Sequence, residues 1–292
     1  MESDSDVNRR ARLFAHRSPL GTWDLLLLNV HEILRGIVTH IWYGEGKVAY
    51  TRDRILPRAS SLLLINLGPP QFMVLRGPPE QRVAFNDMWY SGISDTPIDT
   101  EAPFGSRIIG VTFTAVGAAI VLHLPARLTA NQTGSFEELV GVEARRLRQR
   151  LLNTAGALEC LSCVEEFLIR RCMSGTGIHP LIGWASQSIA DSRGRIGTGH
   201  LVQTSGYSRK HLARIFKEQV GLPPKSLARI HRFQAALQQI TRCGRRDWCN
   251  LALETGYYDQ AHLINEFQVL TGLTPREIAA KEQPDRNSVV LW

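Results

Sequence analysis

Ten side chains in the last third of the chain have types and spacing suited to contact with a polar, anionic partner, seven of them through hydrogen bonds and three through apolar contact. They form two groups, each on the outward side of a helical pattern; the first mixes cations with one small residue, and the second is rich in amides. The ten are Arg209, Lys210, Ala213, Arg214, Lys217, Gln260, Ala261, Ile264, Asn265 and Gln268. Such faces predict contacts to phosphates and to base edges in the major groove of a nucleic-acid duplex.

The hydrogen-bonding groups at single positions suggest individual roles. Arg214 can donate to both acceptors of guanine, and the cations beside it can bind phosphates. In the second group Gln260 and Asn265 can pair with adenine edges, while Ala261 or Ile264 can touch a thymine methyl. Because the second group carries no cation, we expect it to supply less non-specific affinity than the first.

The two groups belong to an internal repeat. A Leu, a Gly and a Tyr recur at an offset of 50, and a further Leu, Phe, Gly, Leu and Pro recur at an offset of 51. This repeat predicts two helix-turn-helix units at about 198–219 and 248–271, joined by one amphipathic helix over 227–240. A plain helical hairpin is the alternative for either unit alone. The joining helix would hold the two recognition helices roughly 34 Å apart, near one duplex turn.

Local signals place the helices of the first unit. A short first helix is predicted from about residue 198 to 204, and Gly206 closes it because the turn needs a residue that tolerates positive φ. Tyr207 is expected to pack the turn, and Ser208 is placed to cap the recognition helix.

The second unit is predicted by the same signals. Its first helix should cover 248–255, with Asp259 as the N-cap of the recognition helix. Arg229 or Arg232 of the joining helix is expected to pair with an acid such as Glu254, and contact with phosphate is the alternative.

Charge and cysteine content bound the class of protein. The net charge is +7, and residues 178–292 hold 15 Lys/Arg against 9 Asp/Glu, so most of the basic excess lies with the repeat. That excess favours a polyanionic partner, although a basic surface that only aids solubility is the alternative. Residues 1–6 are polar and acidic, unlike a secretory signal, and five cysteines fit reduced thiols in a cytoplasm. Cys160 and Cys163 have metal-like spacing, but packing is the expected role.

Residues from about 20 to 125 predict a β domain. Short apolar runs alternate with Gly and Pro turns, which is typical of a barrel or sandwich. The run 108–124 is expected to be a buried strand that leads into a short helix rather than a membrane span. Such a domain can enclose a small ligand, and ordinary core packing is the alternative for its aromatic residues. The candidate ligand-binding residues are Trp42, Tyr43, Phe72, Phe85 and Trp89.

Residues 136–173 carry two helical patterns, over 136–152 and 158–172. They predict a connector between the β domain at 1–135 and the DNA-binding domain at 178–292, with a boundary at 177. The helix pair could form a dimer seam or pack within its own chain.

The repeat resembles the DNA-binding domain of the AraC/XylS family of bacterial transcription regulators over about residues 178–280. The matching segments are 205–208, 212–217, 221–224, 232–237, 255–257 and 271–275. By this resemblance, the family's base-reading positions fall on Lys210, Ala213, Arg214, Gln260, Ala261 and Asn265.

The N-terminal half resembles a cupin-like sensor domain through the segments 41–43, 55–57, 64–67 and 110–113. Arg58-Ala59 stands where that domain usually has Asp-Gly, so a shared ligand is not implied. The expected fold is therefore α+β, with a cupin-like β domain, a helical connector and an all-α tandem helix-turn-helix domain.

The resemblance implies a cytoplasmic, sequence-specific DNA-binding transcription regulator, controlled by a small-molecule effector or a protein partner. Homodimerisation is possible, and contact with RNA polymerase is expected for an activator. The sequence presents no catalytic constellation, metal quartet or cofactor motif, so we expect neither an enzyme, a cofactor nor a membrane partner. The alternative is an N-terminal small-molecule-binding or enzymatic module with DNA binding secondary.

Overall fold

The computed structural model describes residues 7–175, 177–240 and 247–291. Its elements confirm the expected α+β class, with a β domain followed by helices. The segment 1–6, which predicted the lack of a secretory signal, lies outside the described residues.

Twelve strands are present in the described part of the chain. They are β1 (Ala11–Ser18), β2 (Gly21–Leu28), β3 (Val38–Val48), β4 (Arg52–Ile55), β5 (Ser61–Asn66), β6 (Gln71–Leu75), β7 (Gln81–Phe85), β8 (Met88–Ser91), β9 (Ile98–Glu101), β10 (Gly105–Phe113), β11 (Thr133–Ser135) and β12 (Ser288–Val290).

The strands form two antiparallel sheets. One has seven strands in the order β1-β2-β3-β10-β5-β8-β11, and the other has five in the order β12-β4-β9-β6-β7. β12, close to the end of the chain, pairs with β4, so the C-terminal segment completes an edge of the N-terminal domain.

Four helices accompany the strands of the β domain, the first of them before β11: α1 (Gly117–Leu122), α2 (Phe136–Val140), α3 (Val142–Leu152) and α4 (Ala157–Ser174). The apolar run 108–124 is confirmed as a strand, β10, that leads into a short helix, α1. No helix among the described residues is long and apolar enough to cross a membrane.

The single helix predicted over 136–152 is wrong, because Gly141, with φ 77°, divides it into α2 and α3. Both α3 and α4 pack into the core of the β domain. Leu147, Leu151, Leu161 and Phe167 are buried there together with strand residues of the seven-stranded sheet. Packing within the chain, one of the two alternatives for these helices, therefore accounts for their apolar faces.

Seven helices form the C-terminal half of the described chain. They are α5 (Pro180–Asp191), α6 (Thr198–Ser205), α7 (Arg209–Val220), α8 (Pro224–Ile240), α9 (Trp248–Glu254), α10 (Gln260–Thr271) and α11 (Pro275–Ala280). α6 and α7 make the first unit, α9 and α10 make the second unit, and α8 joins them as the sequence predicts.

The joining helix belongs to two hydrophobic cores. Leu227 and Ile230, near its start, pack with the first unit. Phe233 and Leu237, one to two turns further on, pack with the second unit. Seventeen residues of α-helix are about 25 Å long, so α8 acts as a rigid spacer between the two units.

Both units also pack against the β domain. Ile93 and Val116 enter the core of the first unit. Leu56 and Val289, beside or within β4 and β12, enter the core of the second unit. Residues of the N-terminal half therefore form part of the hydrophobic cores of both C-terminal units.

Candidate DNA interface and ligand cavity

The first unit presents α7 as its recognition helix. Gly206 ends α6 with φ 70°, and the Ser208 side chain accepts a hydrogen bond from the backbone N–H of His211 at 3.2 Å. Both features follow the sequence prediction. Leu212 and Phe216 are buried and hold the helix against its own core.

The outward side of α7 carries the first predicted group. The long cations of this group are exposed, while the small side chain of Ala213 lies partly buried between them. The exposed members are Arg209, Lys210, Arg214 and Lys217. Four cations on one accessible face give the electrostatic and hydrogen-bonding surface that a DNA major groove would accept.

Tyr207 does not pack the turn, contrary to the sequence prediction. Its ring is 40% exposed and stacks on His211, with 4.7 Å between the ring centroids. Its counterpart Tyr257 is only 3% exposed and packs in the core of the second unit. The repeat therefore holds in sequence at these positions but differs in side-chain environment.

The second unit presents α10. The Asp259 side chain caps it, as predicted, by accepting from the N–H of His262 at 2.7 Å, and Leu263, Phe267 and Leu270 are fully buried. On the other side Ala261, Asn265 and Gln268 are exposed, whereas Gln260 and Ile264 are partly exposed. This face is amide-rich and open.

The joining helix is ion-paired to the second recognition helix. Arg229 Nε lies 2.6 Å from Glu266 Oε2, so internal pairing is found but Glu254 was the wrong partner. Arg232 donates to the Gly194 carbonyl at 2.9 Å and lies over the Tyr257 ring. Both arginines thus fix α8 in place.

Two residues near α10 escaped the sequence reasoning. Tyr258 is 86% exposed directly before the cap, where an aromatic side chain can reach sugar or phosphate. Cys249, at the start of α9, is exposed and places its Sγ 3.2 Å from Gln260 Oε1. The extra turn residue that the repeat revealed was the available signal for Tyr258.

The seven-stranded sheet has two unlike faces. Ile41, Val111 and Leu63 lie side by side across β3, β10 and β5 and are fully buried under helices. The next residue of each strand points to the other face. Among these, Trp42 and Leu64 remain partly exposed.

That second face looks toward the five-stranded sheet. Phe85 of β7 stacks on Trp89 of β8 with ring centroids 4.9 Å apart, which connects the two sheets' inner faces. The outer face of the five-stranded sheet packs instead on the second unit through Val289. The space between the facing sides of the two sheets is here called the interior.

Successive side chains of a strand point to opposite faces of the sheet, so the strand register shows which face each predicted ligand-binding residue occupies. Their role in ligand binding stays a prediction, and of the five candidates Trp42, Phe85 and Trp89 lie on inner faces. Tyr43 does not: it follows Trp42, points to the helix-covered face and donates to Glu45 at 2.9 Å. Phe72 also points away, because its neighbours in the register are Ala84 and Glu101 and its ring lies under Arg82 on the outer face.

A cleft of about 740 Å³ lies between the edge strands β7 and β11. Its wall combines apolar side chains, such as Met73, Val83 and Phe85, with polar groups of residues 131–135. A concave, mostly apolar site with a few polar groups is typical of small-molecule binding.

The buried cysteines fit the packing role. Cys160 and Cys163 lie in the core of the β domain, where burial raises their pKa. The described residues contain no group of three or more His, Cys, Asp or Glu side chains arranged to hold a metal ion.

Two helix-turn-helix units with capped recognition helices, open polar faces and a shared spacer helix define a DNA-binding transcription regulator. Residues 201–281 match the family model described as "Helix-turn-helix domain". This segment is a helix-turn-helix domain of the AraC type, which confirms the resemblance seen in the sequence. The cupin-like sensor role expected for the β domain before it stays a prediction.

Comparison with curated protein sequences gives no match. Among solved structures, ToxT from Vibrio cholerae aligns with a TM-score of 0.46 and 10% identity, over 79% of this chain and 94% of that one. A ToxT structure with bound unsaturated fatty acid gives 0.44, 8%, 79% and 91%. The AraC-like transcriptional activator CuxR gives 0.32, 11%, 74% and 83%. At these TM-scores, the similarities transfer no ligand to this chain.

Proposed function

We propose that the two units bind successive major-groove faces of one DNA duplex, and that a small ligand in the interior of the β domain controls their placement. The observation that carries DNA reading is the pair of open, capped recognition helices fixed to one spacer helix. We assign no enzymatic reaction to the β domain.

The two units have different roles in this proposal. On α7, Arg214 and Lys210 approach base edges while Arg209 and Lys217 bind phosphates, since long exposed cations suit both tasks. On α10, the amide and apolar side chains supply base contacts with little electrostatic attraction. The first unit would therefore provide most of the affinity and the second would refine the sequence preference.

Control through the β domain is supported by the packing of both units on it. A ligand changes DNA binding only if it has different affinity for the two arrangements of the units. Leu56 and Val289, beside or within β4 and β12, lie in the core of the second unit. A shift of either strand would therefore change the packing of that core. A protein partner acting on the same surface is the second way to achieve this control.

Further partners follow from the class of protein. We infer action in the bacterial cytoplasm, where the chromosome lies, and contact with RNA polymerase if the protein is an activator. A homodimer would bind a duplicated site. Sedimentation of the full-length protein with and without its selected DNA would separate a monomer from a dimer.

The testing experiment is selection of random duplex DNA on full-length protein, followed by sequencing. We expect an asymmetric motif with two short blocks about one helical turn apart. A single block would show that the second unit does not read bases. Failure to enrich any motif, with or without an added ligand or partner, would contradict the proposed function.

A further inference from the structure

Residues 54–59 of the β domain contact both helix-turn-helix units and the helix that joins them. This stretch, here called the bridging segment, comprises the last two residues of β4 and the four residues that follow. Arg54 donates to the Thr271 carbonyl at the end of α10 at 2.9 Å, and Leu56 lies in the core of the second unit. The first half of the segment is therefore attached to the second recognition helix and to the core behind it.

The second half of the bridging segment continues to the joining helix and the first unit. The Pro57 carbonyl accepts a hydrogen bond from Gln234 Nε2, in the second half of α8. Ala59, two residues further on, packs against the core of the first unit. One short stretch of backbone thus connects three parts of the DNA-binding half.

The order of these contacts shows that the bridging segment runs opposite to α8. Along α8 the packing passes from the first unit, at Ile230, to the second unit, at Leu237. Along the segment it passes from the second unit to the first. Six residues of extended chain span about 17 Å, and the helix between Ile230 and Leu237 is about 10 Å long. The segment is therefore long enough to reach both cores.

The β domain holds the bridging segment in place. Its β4 residues pair with β9 on one side and with β12 on the other. An isolated backbone bridge joins Arg58 to Ser94, which follows Ile93, a buried residue in the core of the first unit. Because the segment is fixed to a sheet, a rotation of either unit about α8 would break one of these contacts.

The joining helix alone fixes only part of the geometry. A straight helix sets the distance along its axis, but a small unit packed on one side of it can still rotate about that axis. Neighbouring base pairs of a duplex differ by about 3.4 Å in position and about 35° in direction. The freedom to rotate therefore determines which separations of two DNA blocks the units can reach together.

We propose that the bridging segment sets the spacing between the two DNA blocks that the protein accepts, so that the N-terminal domain determines this part of its specificity. Arg54 and Gln234 act as positioning residues, since they hold the second unit and the joining helix rather than a base or a phosphate. This inference rests on the proposed function, in that both units must bind one duplex.

A spacing series on full-length protein tests the inference. The duplex carries the two-block motif selected by the wild type, with the spacer shortened or lengthened by one base pair. We expect wild-type affinity to fall about tenfold to a hundredfold at either altered spacing, the size of one or two lost base contacts. For the double variant Arg54→Met, Gln234→Ala we expect a fall of less than about threefold.

The readout is the ratio of affinities for altered and selected spacing within one protein. A general loss of stability or of active protein affects every spacing alike and cancels in this ratio. The matched control combines Arg76→Met with Gln239→Ala. Arg76 also pairs with Asp99, and Gln239 lies on α8 five residues after Gln234. The control should discriminate between spacings as strongly as the wild type.

If the double variant does not fold, each single variant is measured on the same series and should tolerate altered spacing better than the wild type. Wild-type discrimination in the folded double variant, or in both single variants, would overturn the proposal. Equal wild-type affinity for all three spacings would do the same. In these cases the two-block motif leaves the proposed function intact, whereas a selected motif of one block, or none, would contradict reading by two units together with this inference.

Discussion

The guanidinium of Arg54 donates a hydrogen bond to the carbonyl oxygen of Thr271 at 2.9 Å, across the boundary between the β domain and the second unit. Thr271 ends α10, and the last carbonyls of a helix have no partner within it. Asp99 holds the same guanidinium through Arg54 Nε at 2.7 Å. The N-terminal domain thus caps the C-terminal end of the second recognition helix with a positive charge.

Replacing Arg54 should loosen this end of the helix. We expect Arg54→Met to lower the free energy of unfolding by about 1–3 kcal/mol, because a carbonyl and part of the Asp99 carboxylate lose a charged donor. Hydrogen exchange at the end of α10 should speed up. Arg76→Met is the control, since Arg76 also pairs with Asp99 at 2.7 Å. Equal exchange in both variants would argue against a capping role for Arg54.

Base reading and phosphate binding by α7 can be separated. We expect Arg214→Ala to relax the preference at one base pair of the selected site, at a cost of about 1–3 kcal/mol. Lys217→Ala should weaken binding to all sequences alike and reduce the salt dependence by about one ion. Titrations of specific and scrambled duplexes at several salt concentrations measure both effects. Unchanged affinity and selectivity of Arg214→Ala would contradict the proposed orientation of α7.

The thiol of Cys249 reports whether the second unit touches DNA. It is exposed and lies beside Gln260, whereas Cys160 and Cys163 are buried. We expect N-ethylmaleimide to modify Cys249 in the free protein and more slowly in the specific complex, with the modified peptide identified by mass spectrometry. Cys249→Ser should bind DNA normally and lose that peptide signal. The same rate of labelling with and without specific DNA would place the second unit off the duplex.

His231 on the joining helix should make stability sensitive to acid. Burial lowers its pKa from 6.5 to about 4, so the unfolded chain binds a proton in this range before the folded protein does. Stability is therefore fully present above about pH 6.5 and falls as the pH drops toward 4, by an amount on the order of 2–3 kcal/mol.

Urea unfolding of wild type and His231→Gln between pH 7 and 4 measures this effect. The difference between the two proteins cancels the carboxylates that they share, and we expect the gap to move in favour of the variant as the pH falls. A gap that does not change with pH would show that His231 titrates normally in the folded protein.

Local patterns in the sequence predicted much of the helix structure of the DNA-binding half. The caps Ser208 and Asp259, the turn at Gly206 and the buried stripe of α10 were all predictable, because each depends on neighbours within a few residues. Tyr207 was misjudged because its environment depends on how the turn meets the rest of the unit. Repeat symmetry in sequence does not guarantee symmetry in packing.

The residues on the inner faces of the β domain were harder to predict from local patterns. Tyr43 and Phe72 each sit one position from an inner residue, so only the strand register shows that they face away. Arg58 looked like a departure from a family pattern, and its backbone bridge to Ser94 joins residues 36 positions apart. The pairing of β12 with β4 joins residues more than 200 positions apart, a contact that no local pattern reveals.

The shared cores limit how far the chain can be treated as two modules. The second unit fills its centre with Leu56 from the N-terminal half, and the first unit does the same with Ile93 and Val116. A fragment cut at the boundary near residue 177 would carry both recognition helices. It would also expose to water the apolar surfaces that Leu56, Ile93 and Val116 cover in the full chain. Chimeras that exchange sensor domains between regulators of this design would therefore need matching surface residues, and isolated DNA-binding fragments would tend to aggregate.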